Sequence, residues 1–304
     1  MGQQVLNAIF IGSIYALFAV GYTLVFGVLD ILNLAHSAVF MVGAAITYSL
    51  VVNYHQTFLV ACLLGIAACA FLGVVIEYVC LRPLRRRRAP PIAALISTIG
   101  LALIIVAAVE QGRAGSAFAW LWVDGANSVR FPPDMIPNPT WHVASLTLES
   151  TKVAIVPITI ALMLVLGYLI RYTQFGRGLR AVAENPRAAS LMGLDVDRMI
   201  ALTVVLSSAL GGVAGILFGL ALSDISPYIG RDNLEIRGLA VIVLGGMGSI
   251  PGAVAGGYLL GLIEVIALVV LGSNVRAGVA FAALFLMLVL RPQGLFGAQL
   301  TERL

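Results

Sequence analysis

Charge is scarce in this chain. Of its 304 residues only 11% are charged, against about 25% in soluble domains. Lys152 is the one lysine. It does not follow a glycine, so no G-x-x-x-x-G-K-[ST] loop exists to cradle a nucleotide phosphate. H-E-x-x-H, G-x-S-x-G and paired carboxylates within an apolar run are also missing. Hydrolysis and intramembrane proteolysis therefore have no visible constellation, and no catalytic residue is expected. Cys62, Cys69 and Cys80 fall in or at the end of one apolar run without C-x-x-C spacing, and read as small packing residues. His36, His55 and His142 lack metal-ligand spacing, so no metal site is expected. The net charge of +4 comes from arginines beside apolar runs. That pattern reflects orientation in membrane lipid and argues against a nucleic-acid partner.

Apolar residues dominate, at 61% of the chain with a mean hydropathy of +1.03. The runs are ~16–25 residues long, which suits α-helical spans rather than the short alternating strands of an outer-membrane barrel. The expected fold is all-α: one polytopic transmembrane helical bundle over residues 1–304, with about 8–9 spans. The runs read as Val5–Val28, Leu34–Val52, Thr57–Leu81, Ile92–Glu110, Val153–Ile170, Met199–Leu222, a long interrupted segment Ile236–Leu271, and Arg276–Leu290. The first lacks a basic lead-in, so it reads as a retained span rather than a cleaved signal.

Arginine placement orients these spans. Arg82, Arg85, Arg86, Arg87 and Arg88 form one block, and Arg171, Arg177, Arg180, Arg187 and Arg198 lie in a second polar stretch. Both belong in the cytoplasm by the positive-inside rule, which places the N-terminus outside. Residues 111–152 then form an external loop whose Trp120, Trp122 and Trp141 suit a membrane-interface cap. It is too long for a plain connector.

Two runs are broken. One break carries Asp30, Asn33, His36 and Ser37; the other is Gly245-Gly246-Met247-Gly248-Ser249-Ile250-Pro251-Gly252, which cannot continue a helix cheaply. The halves containing them would run in opposite senses, a possible inverted repeat. Broken segments in corresponding positions point to a pathway at mid-membrane. Asn33, His36, Ser37, Gly246, Gly248 and Ser249 are the candidates to line it. Ionisable residues within apolar runs are few: Asp30, His36, Glu77, Glu110 and Glu264. A proton-coupled pump is the weaker reading.

Residues 171–198 read as a cytoplasmic loop holding a short helix. Pro186 suits the first turn, Asn185 the N-cap, and Gly193 the stop.

The chain resembles the permease subunits of bacterial ABC importers for branched-chain amino acids, the LivH type. The resemblance runs nearly end to end: GSIYALFAVGYTLVFGVLDILNLAH (Gly12–His36), LISTIGLAL (Leu95–Leu103), Arg171–Leu217, SPYIG (Ser226–Gly230), VLGGMGSIPGAVAGGYLLGLIE (Val243–Glu264) and RPQGLFG (Arg291–Gly297). It implies an inner-membrane subunit that is not an enzyme and holds no cofactor. ATP would be bound by two cytoplasmic ATP-binding subunits. A second permease subunit, identical or related, and a periplasmic substrate-binding protein would complete the importer.

Arg187-Ala188-Ala189-Ser190-Leu191-Met192-Gly193 resembles the E-A-A-x-x-x-G signature by which such permeases dock on their ATPase. Ala188, Ala189 and Gly193 carry over; Arg187 replaces the leading glutamate. With Glu184 these form the expected docking set. After His36 this chain has Ser37 and Ala38 where the family commonly has a glycine and often an acid, so substrate preference stays open. Helix N-termini at the breaks could meet a substrate carboxylate. Alternatives are a permease for urea or short amides, and a stand-alone secondary transporter.

Overall fold

The computed structural model describes residues 2–112, 127–132, 140–143, 146–222, 225–229, 234–272, 276–291 and 293–297. Trp120 and Trp122 lie outside them.

Helix α1 (Gly2–Leu29) is the spine of the bundle, with most of its length buried. At 1.5 Å per residue it is ~42 Å long and serves as a depth gauge for everything packed on it. Helix α2 (His36–Val52) follows a break, and α3 (Phe58–Val75) runs through a π-helical turn (Ile76–Leu81) into α4 (Arg82–Arg86). After Ala89 and Pro90 the chain reverses into α5 (Pro91–Glu110). A two-stranded hairpin, β1 (Thr140–Val143) and β2 (Leu146–Glu149), precedes α6 (Ser150–Tyr172). It is a small β element within an otherwise helical bundle.

Then come two short helices, α7 (Gln174–Glu184) and α8 (Pro186–Leu191), and the long α9 (Val196–Leu222). The interrupted segment resolves into α10 (Glu235–Gly245) and α11 (Ile250–Leu271), and α12 (Arg276–Leu290) ends the bundle. Among the described residues six helices are long and apolar enough to cross a membrane alone: α1, α3 with its extension, α5, α6, α9 and α11. The shorter α2, α10 and α12 fill the remaining places, in keeping with a polytopic bundle.

Packing repeats between the two halves. α1 lies antiparallel to α11, where a Cβ on Gly12 would touch Tyr258 and one on Gly261 would touch Gly12 and Ala8. α9 lies antiparallel to α3 in the same way: a Cβ on Gly212 would meet Cys69, and one on Gly73 would meet Ser208. α1 and α9 also pack on each other, α2 pairs with α3, and α10 pairs with α11. Small residues permit each approach where apolar burial against lipid offers little drive. In this arrangement α1 corresponds to α9, α2 to α10 and α3 to α11.

The arginine block, α7, α8 and the end of α1 lie at one end of the bundle. Asp197, in the first turn of α9, joins them: it accepts from Arg82 (3.1 Å), Arg85 (2.6 Å) and Arg86 (3.0 Å). Arg85 also donates to the buried Glu77 at 2.8 Å. The opposite end carries the start of α1, where Gln3 Nε2 and Oε1 bond the backbone of Thr147 in β2. Residues 293–297 lie at the arginine end, because Leu295 and Phe296 donate to the carbonyls of Leu244 and Gly245.

Candidate functional site

The second polar stretch folds as its local chemistry dictates. Asn185 caps α8, its Oδ1 accepting from the N–H of Arg187 (3.1 Å) and Ala188 (3.0 Å). Pro186 takes the first helical position. Gly193 has φ +84°, the left-handed conformation that ends the turn, and a Cβ there would meet nothing within 4 Å. Glu184, Arg187, Ala188 and Gly193 are exposed. Ala189 turns inward and is buried in the core that Ile200 and Val204 of α9 also enter. Leu191 and Met192 stand out, 89% and 84% exposed. The motif drew attention to the small residues; these two apolar side chains next to them are the ones that project.

The first break gathers its polar residues at one depth. Asn33, His36 and Ser37 come together at the N-terminus of α2, and all three are buried. The depth is set by α1: His36 Nε2 lies 3.2 Å from the carbonyl oxygen of Phe18, near the middle of that helix. α2 therefore starts halfway through the bundle. Its counterpart α10 does the same, since a Cβ on Gly238 would strike the ring of Phe18. Two short helices thus begin at mid-depth and run to opposite ends.

His36 is fully enclosed. Its ring lies against Phe18 (4.8 Å between centroids) and Tyr22 (5.5 Å), and its Nδ1 is 3.5 Å from Ser207 Oγ. Ser207 in turn donates to the Gly21 carbonyl at 2.6 Å. Its neighbours are therefore α1 and α9. Ser37 Oγ donates to the Leu34 carbonyl at 3.0 Å. Asn33 Oδ1 accepts from the Ala35 N–H at 3.2 Å, while its Nδ2 has no partner.

Gly246, Gly248 and Ser249 are not brought to that cluster. They sit at the far end of α10, where Gly248 approaches Gly27 near the end of α1. Phe18 and Gly27 are nine residues apart, ~14 Å along the helix. Ser249 caps α11 by accepting from the Gly252 N–H at 3.2 Å. With Gly248, Ile250 and Pro251 it borders a ≈ 330 Å³ cavity shared with Thr23, Ile170 and Arg180. The glycine break pairs with the end of α1 because the half-helix precedes it in this half, whereas in the first half the half-helix follows the break.

The residue that faces the first break across the bundle is Glu235, at the start of α10. It lines a ≈ 240 Å³ cavity with Leu34, Ser37, Met41, Ile99 and Val106. The sequence reading passed over it because it sits at the edge of an apolar run, where a carboxylate commonly reaches water.

Comparison with known proteins fits this architecture. The family described as Branched-chain amino acid transport system / permease component matches residues 4–290. The chain belongs to this family. It is 34% identical to the high-affinity branched-chain amino acid transport system permease protein LivH of Salmonella typhimurium, over 99% of this chain and 97% of that one. Identity to the corresponding protein BraD of Pseudomonas aeruginosa is 33%, again over 99% and 97%. The autoinducer 2 import system permease protein LsrC of Yersinia pestis is 26% identical over 68% of this chain and 52% of its own. The chain is thus a multi-pass inner-membrane transport permease rather than an enzyme. Among the described residues no group of His, Cys, Asp and Glu side chains could hold a metal ion.

Proposed function

We propose that this chain is the membrane-spanning half of an ABC importer for branched-chain or other neutral amino acids, driven by ATP hydrolysed on two partner subunits. The observation that carries the reading is α8: a short, capped helix at the arginine end with Leu191 and Met192 projecting from it. Positive charge marks that end as cytoplasmic. Two large apolar side chains exposed to water there suit insertion into a groove on a soluble ATPase, with Glu184 and Arg187 setting register around them. Ala188 and Gly193 keep the contact low; Ala189 roots the helix on α9.

α8 moves nothing by itself. Besides Ala189, its connection to the bundle is the Asp197 cluster in the first turn of α9, which ties the docking segment to α4 and, through Arg85 and Glu77, to the π-helical turn below α3. ATP binding on the partner would push α8, tilt α9 and shift α3 with it. A second permease subunit and a periplasmic binding protein complete the reading, the latter meeting the end that carries the β1–β2 hairpin. In this reading Asn33 and Ser37, at the mid-depth start of α2, line the pathway. His36 serves as the packing post behind them. Gly246, Gly248 and Ser249 lie on the cytoplasmic exit side.

The test is co-purification and uptake. The wild-type chain, expressed with the ATPases, second permease and binding protein of its importer, should assemble and import leucine in competition with isoleucine and valine but not urea. Leu191→Asp with Met192→Asp should stay in the membrane and lose the ATPases. Retention of the ATPases by that double variant removes α8 as the docking element; leucine uptake by the purified chain alone removes the importer reading.

A further inference from the structure

Among the described residues, two carboxylates inside the bundle are matched by arginines. Glu77 accepts from Arg85 at 2.8 Å. Glu264 is paired with Arg237 Nε at 2.8 Å and accepts from the Tyr15 hydroxyl at 2.9 Å. Glu235 makes no ion pair among the described residues and instead faces the cavity between α2, α5 and α10. Holding a charge at that depth costs ~3 kcal/mol or more. The N-terminus of α10 stabilises it by a fraction of that.

The rest of the cavity is built in three parts. Ser37 stands at the start of α2, where backbone N–H groups of the first turn lack partners within the helix. Met41, Ile99, Leu103 and Val106 make an apolar wall. Two buried polar atoms near it are unspent: Asn33 Nδ2, beside the lining residue Leu34, and the Tyr22 hydroxyl, within electrostatic reach of Glu235.

We propose that this cavity reads the zwitterion of an α-amino acid, with Glu235 receiving the ammonium group, the start of α2 at Ser37 receiving the carboxylate, and the α5 wall receiving a branched apolar side chain. The inference deepens the importer reading and rests on it. An anionic group at this point selects a primary ammonium over urea or a neutral amide, which brings no charge to offset the desolvated carboxylate.

The experiment uses the whole importer in proteoliposomes. Glu235→Gln should assemble with the ATPases and hydrolyse ATP within about twofold of wild type, while leucine uptake falls ~10-fold or more, the size expected for one charge-assisted contact. Glu235→Asp should recover part of the uptake. Wild-type uptake in Glu235→Gln overturns the proposal. Failure of the wild-type importer to assemble overturns the importer reading instead. Should Glu235→Gln be lost from the membrane, Ser37→Cys in a chain with Cys62, Cys69 and Cys80 replaced by alanine keeps Glu235 in place. A cationic methanethiosulfonate should then react at position 37 ~10-fold faster than an anionic one, and leucine should slow it; equal rates overturn the proposal.

Discussion

The carbonyl oxygen of Phe18 and Nε2 of His36 are 3.2 Å apart, and their rings lie 4.8 Å apart between centroids. The break before α2 is thereby nailed to the middle of α1. The ring also rests against Gly21 and Gly211, where a Cβ would come within 2.9 Å and 2.7 Å of it.

Removing that ring should unseat the start of α2. His36→Ala should cost about 2–4 kcal/mol through cavity formation and lost hydrogen bonds, read as a lower thermal midpoint in detergent. Gly211→Val should do comparable harm from the other side by overpacking. A His36→Ala protein with wild-type stability and lost transport would place the side chain in the pathway after all.

The cap on α8 should matter in proportion to its exposure. Asn185→Ala should weaken the helix by ~1 kcal/mol and reduce co-purification of the ATPases without lowering the amount of chain in the membrane. Gly193→Pro and Ala188→Arg should abolish uptake with the chain still inserted. Normal uptake in a stably inserted Gly193→Pro variant counts heavily against docking there.

Asp197 is the shared acceptor of three arginines. Because the cluster is partly exposed, Asp197→Asn should cost only about 1 kcal/mol of stability. Its larger effect should fall on coupling: ATP turnover continues while leucine moved per ATP declines. Proportional loss of both activities would show that the cluster only holds the fold.

The buried pair Arg237–Glu264 fastens α10 to α11, with Tyr15 of α1 completing it. Glu264→Gln or Arg237→Met alone should destabilise by about 3–5 kcal/mol, each leaving one uncompensated buried charge. The double variant Arg237→Met with Glu264→Met should recover most of that. Thermal midpoints of the three proteins decide the matter, since additive losses would contradict a coupled pair.

Local chemistry was legible in the sequence. Asn185, Pro186 and Gly193 announced the start and stop of α8 because caps are decided within a few residues. The long spans were legible because a run of apolar residues needs no partner to be recognised. Depth was not. Nothing in residues 30–37 or 235–245 says that both helices begin halfway along α1, because the Phe18 carbonyl and the Gly238 approach are tertiary contacts. For the same reason the glycine break at 245–252 looked like the counterpart of the break at Asp30–Ser37. The true counterpart is the start of α10, and Glu235 went unnoticed beside it.

Gly294 and Gly297 press directly on Gly246, while Leu295 and Phe296 donate to the last carbonyls of α10. The segment that follows α12 is therefore a latch for a half-helix that reaches mid-membrane. A displacement of α12 is thus passed through residues 293–297 to the foot of a helix whose other end stands at the cavity.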